Sequence, residues 1–158
     1  MSYQGQPVPS TGYAVGRTKI GDSKSIEVAV PENTTVEAGK FYVLDGFFGA
    51  AMQSVTTGAD QTSRIILNIE QAEHETDQVE TADTFAVGSV VYWNGTKLTS
   101  DEDDGGADPT VYRPVGRITS AKDSNNVIAF SLFPQTGFAV TQAQYDSIIS
   151  RLTALENA

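Results

Sequence analysis

A chain of 158 residues with 20 Asp and Glu against 10 Lys and Arg carries a formal charge of −10. The length fits one domain with appendages, and the acidic balance argues against nucleic acid as a partner. The absence of cysteine excludes disulfides, thiolate catalysis and Cys-ligated zinc, and no apolar run reaches the length of a membrane span. Met1–Pro9 lacks the apolar core of a signal peptide. The expectation is a soluble, cytoplasmically made protein with chance glycosylation sequons at Asn33 and Asn94.

Residues 2–16 (SYQGQPVPSTGYAVG) are uncharged and rich in Gly, Pro and Ser. They fit either a disordered tail or an extended arm. As an arm they reach about 50 Å, with Tyr3, Pro7, Pro9 and Tyr13 suited to lying along a neighbouring protein. Ser25–Val30 alternates polar and apolar residues and reads as a half-buried strand ended by Pro31. Phe41–Leu44 and Phe47–Met52 predict a hairpin around Asp45-Gly46, a pair that favours a two-residue type I′ turn. Arg64–Ile69 is β-branched and reads as a central strand. Gln71–Asp83 is polar and acidic and reads as a surface loop.

The phrase Gly39-Lys40-Phe41-Tyr42-Val43-Leu44-Asp45-Gly46 then returns as Gly88-Ser89-Val90-Val91-Tyr92-Trp93-Asn94-Gly95. The second copy predicts a second hairpin, Val90–Trp93 with Thr96–Thr99, turned at Asn94-Gly95. Asp101–Pro109 reads as an exposed turn. Val115–Ile118 and Val127–Phe133 are the last strands of about eight. The fold class expected is all-β, a small closed barrel or sandwich. Residues 134–140 break the sheet. Thr141-Gln142-Ala143-Gln144 is a capping box, and Tyr145, Ile148, Leu152 and Leu155 form an a/d stripe on a C-terminal helix. So short a helix must bury its stripe, on its own barrel or in a bundle of copies. Ile149 beside Ile148 widens the stripe toward a trimer. The organisation expected is an arm at 1–18, a β-domain at 19–133, a linker at 134–140 and a helix at 141–158.

No motif carries chemistry. Asp101-Glu102-Asp103-Asp104-Gly105-Gly106 misses the calcium loop at its fifth and twelfth positions, occupied by Gly105 and Tyr112, and reads as a solvated acidic turn. Gly39-Lys40 lacks the earlier glycine and following hydroxyl of a phosphate loop. His74 is alone and serves no nucleophile elbow. Trp93, Tyr42 and Tyr92 read as core packing, with carbohydrate stacking the alternative. The expectation is a non-enzyme without metal or cofactor.

Several short phrases together resemble a known family. They are Val36-Glu37-Ala38-Gly39-Lys40 leading to Phe47-Phe48-Gly49-Ala50-Ala51, then Ala86–Trp93, Pro114-Val115-Gly116-Arg117-Ile118 and the closing strand Val127–Leu132. Over roughly residues 19–133 the chain resembles the small tailed-phage proteins regarded as capsid decoration, or cement, proteins. The resemblance implies an all-β barrel, usually trimeric, on the outer surface of an expanded capsid, with the major capsid protein as partner. It implies no catalytic residues. The arm and the terminal helix lie outside the resemblance. The expectation built on it is a protein that bridges neighbouring capsid subunits, with the arm contacting capsid or adjacent trimers and the a/d stripe Tyr145, Ile148, Leu152 and Leu155 forming the trimer core. A tail or host-attachment module that binds glycan is the alternative.

Overall fold

The computed structural model describes residues 23–135. The predicted arm with Tyr3, Pro7, Pro9 and Tyr13, and the predicted helix with Tyr145, Ile148, Leu152 and Leu155, lie outside the described residues. Within them the chain is all-β. Its strands are β1 (Ser25–Val30), β2 (Thr35–Val36), β3 (Phe41–Leu44), β4 (Phe47–Ala51), β5 (Val55–Thr56) and β6 (Ser63–Asn68). They continue as β7 (Glu73–Thr76), β8 (Val90–Trp93), β9 (Leu98–Thr99), β10 (Arg113–Ser120) and β11 (Ile128–Leu132).

The strands form a four-stranded sheet in the order β1-β6-β4-β3, a five-stranded sheet in the order β7-β11-β10-β8-β9, and the small pair β2-β5. Every paired strand in them is antiparallel. Strand alternation distributes the core. On β3 and β4, Phe41 and Phe48 face the five-stranded sheet and meet Val91, Trp93, Val115, Ile118, Phe130 and Leu132. Leu44 and Ala51, three residues further along their strands and so on the opposite face, join Val28, Val30, Ile65 and Leu67 beneath Val36 and Val55 of the small pair. The β3–β4 hairpin is therefore a wall shared by two cores. Packed rings seal the first: Phe41 stacks on Phe48 at 5.4 Å, Trp93 lies tilted against Phe48 at 5.2 Å, and Phe130 meets Phe41 edge-on at 5.3 Å.

Of the two architectures expected, barrel or sandwich, the described residues form no closed barrel; their sheets are open and packed on each other. β1 and β3 remain opposite edges of the four-stranded sheet. Where a closing ladder would need a backbone carbonyl, the N–H of Ala29 on β1 donates instead to the Asp45 carboxylate, 2.7 Å away. Two glutamines play a similar part. The Gln78 side chain accepts from Phe41 N–H and donates to Phe41 C=O, and Gln135 does the same for Phe48. Each amide stands in for one residue of a missing strand, so the buried phenylalanines keep their backbone groups paired.

Two expectations of local structure also change. The predicted surface loop 71–83 contains β7, which pairs with β11 from Thr76↔Ile128 to Glu73↔Ser131. It is an edge strand whose exposed residues are Glu73 and Glu75, a polar pattern that hides the strand and guards the edge. At the first hairpin Asp45 and Gly46 both have positive φ, as a type I′ turn requires. At the second, Gly95 has positive φ and Asn94 does not. Asn94 Oδ1 accepts from Thr96 N–H and Lys97 N–H, so four residues, not two, join β8 to β9.

The repeated phrase is nonetheless repeated geometry. Gly39 and Gly88 occupy the third position of turns closed by Lys40 N–H to Glu37 C=O and Ser89 N–H to Ala86 C=O, with φ of 84° and 88°. The Gly39 N–H then donates to Ala51 C=O and the Gly88 N–H to Ile118 C=O.

Candidate interaction surfaces

The aromatic residues singled out in the sequence are structural. Trp93 is buried in the first core and packs tilted against Phe48, so it presents no open face there to a sugar ring. Tyr42 packs on the second core and its hydroxyl accepts from Glu37 N–H. Tyr92 donates to Glu102 Oε1 at 3.0 Å; burial first, and then this carboxylate, push its hydroxyl pKa up.

His74 sits edge-on to Phe41 at 5.7 Å, and its Nε2 is 3.1 Å from the Glu70 carbonyl oxygen. It meets rings and backbone, and no carboxylate–histidine constellation assembles around it. Among the described residues no group of three or more His, Asp or Glu is placed to hold a metal ion.

The acidic turn lines an open cleft of about 680 Å³ together with Glu80, Asp83 and Tyr112. Most of these carboxylates are used in folding. Asp83 accepts from the Thr99 hydroxyl and Ser100 N–H, and Glu80 accepts from the Asn94 amide and pairs with Lys97. Asp103 accepts from Gly105 N–H. Asp104 accepts from Gly106 N–H and Thr110 N–H, and those donors hold its pKa below the usual carboxylate value. Burial, reinforced by Asp104, Asp101, Asp103 and Glu80, raises the Tyr112 pKa. Most of the cleft's carboxylates are thus committed to hydrogen bonds within the fold.

Among the described residues the cations fall into two kinds. Lys24, Lys40, Arg64 and Lys97 face Glu70, Asp77, Glu27 and Glu80. Arg113, Arg117 and Lys122 bind carbonyl oxygens instead. Arg113 donates to Gly46 C=O at 2.7 Å and to Gln135 Oε1, which ties the end of the described chain to the β3–β4 turn; burial lowers its pKa. Arg117 donates to Gly88 C=O, and Lys122 to the carbonyls of Thr81 and Asp83 while lying 5.9 Å from the Phe85 ring centre.

Sequence reading missed these anchors. The available signal was a lone arginine in the apolar strand phrase Val115-Gly116-Arg117-Ile118, but the carbonyls it holds lie elsewhere in the chain.

Fold and surface thus define a small all-β module built from packed open sheets, whose polar groups serve folding and whose described residues assemble no catalytic constellation. The family model for phage cement proteins matches residues 20–133, and the chain belongs to that family. The family is structural and capsid-associated. Searches of curated proteins and of solved structures return no match.

Proposed function

We propose that the protein decorates the outside of an assembled phage head and stabilises it by bridging neighbouring major capsid subunits. The observation that carries this reading is the family match across residues 20–133, joined to a β-domain whose aromatics and carboxylates are absorbed in its own fold. A protein that binds only where a lattice presents two subunits together stabilises the assembled state by mass action. That contributes about 2.7 kcal/mol per site when free protein is 100 times its Kd.

Residues 2–16, with Tyr3, Pro7, Pro9 and Tyr13, extend the footprint over the shell. The stripe Tyr145, Ile148, Leu152 and Leu155 fastens three copies together. The net charge of −10 keeps crowded copies soluble.

The test is co-sedimentation of the purified protein with expanded, undecorated heads and with unexpanded precursors. Saturable binding to the expanded heads, with a raised head melting temperature, is the expected outcome. Absence of binding to both would overturn the reading.

A further inference from the structure

The stretch 81–89 differs from the rest of this acidic surface. Thr81, Ala82, Thr84, Ala86, Val87 and Gly88 are exposed and uncharged, and Val87 is 65% exposed, the most of any large apolar residue described. The one acid within the stretch, Asp83, turns its carboxylate away to Thr99 and Ser100. Nearby Asp123 spends its carboxylate on the N–H groups of Asn125 and Val127.

The stretch is also held in shape from three points. Phe85 is buried in the first core, Lys122 binds the carbonyls of Thr81 and Asp83, and Arg117 binds that of Gly88. Arg117 is exposed and, among the described residues, makes no ion pair. Its guanidinium therefore keeps donors for an outside acceptor. Beside it on the outer face of the sheet stand Val90 and Ser131, its cross-strand partners.

We infer that Val87 and Arg117 form a docking surface for a neighbouring polypeptide that offers an apolar recess to Val87 and a carboxylate to Arg117. Charge complementarity selects that chemistry. Among the described residues the other exposed cations, Lys24, Arg64 and Lys97, already face carboxylates, so Arg117 is left to meet a partner's carboxylate. Burying this stretch also desolvates fewer charges than burying the acidic faces, as interface centres require. Its three anchors fix it before binding, which lowers the ordering cost. The inference rests on the capsid-binding reading above and takes the partner to be the capsid subunit.

The experiment compares wild type with Val87→Asp, Arg117→Glu, Arg117→Lys and the control Lys97→Glu in binding to expanded heads, with melting curves alongside. Val87→Asp touches no anchor, so it tests the surface even if Arg117→Glu loosens the turn. Val87→Asp and Arg117→Glu are each expected to weaken binding by about 30-fold or more, as central interface residues do. Arg117→Lys should fall between them and wild type, and Lys97→Glu should bind as wild type does. Undiminished binding by both Val87→Asp and Arg117→Glu overturns the inference and leaves the decoration reading intact. Equal losses in Lys97→Glu and Arg117→Glu would show a general charge effect and also overturn it. Failure of the wild type to bind removes the reading itself, and the inference with it.

Discussion

Gly116 shows how much a single residue decides. It sits at the register shift of β10, where a Cβ would lie 2.6 Å from the Phe130 ring and 2.6 Å from the Ser131 carbonyl oxygen. Gly116→Ala is expected to cost about 1–3 kcal/mol by overpacking, read from the midpoint of urea unfolding. Asp104 supports a different kind of test. Its folded pKa lies below the ordinary aspartate value because the Gly106 and Thr110 N–H groups donate to it. The support it gives the acidic turn is therefore complete above that value and disappears as pH falls through the lower, folded one. Exchange of the Gly106 and Thr110 amides, corrected for intrinsic rates, should show protection retained through the ordinary carboxylate range and lost only at pH below it. In Asp104→Asn the protection should be low and nearly independent of pH; a wild-type profile in that variant would refute the assignment.

At the scale of elements, side chains complete what the strands leave unfinished. Gln78→Leu would strip Phe41 of both backbone partners, and Gln135→Leu would do the same to Phe48. Unpaired part-buried groups cost about 1–3 kcal/mol each, so each variant should lose about 2 kcal/mol or more in denaturant unfolding. A loss no larger than that of an exposed Gln61→Leu control would show that water replaces the amide. The same scale separates what was legible in the sequence from what was not. β1 was readable to the residue because one face is buried and its neighbours alternate. β7 was not, because an edge strand with Glu73 and Glu75 exposed carries the composition of a loop. The second turn was misjudged because Asn94-Gly95 looks like Asp45-Gly46, yet the Asn94 amide binds Thr96 and Lys97 and lengthens the connection.

For the whole molecule, oligomer state and shell contact are the properties to test. Light scattering of the full chain should give the mass of a trimer, and truncation after Gly137 should reduce it to about one third if the stripe Tyr145, Ile148, Leu152 and Leu155 is the fastening. An unchanged trimer after truncation would move the interface to the β-domain. Deleting residues 2–16 should leave the melting temperature within a few degrees and abolish binding to expanded heads; full binding would remove the arm from the mechanism.

The sequence by itself determined the all-β class, the positions of most strands, the type I′ turn at Asp45-Gly46 and the family, because these depend on alternation, turn chemistry and local phrases. Only the tertiary structure decided that the sheets stay open and that β3 and β4 serve two cores. It also decided that Arg117 and Lys122 hold the stretch 81–89 by its carbonyls. Each of these depends on which distant backbone group a side chain meets, and local composition does not encode that pairing.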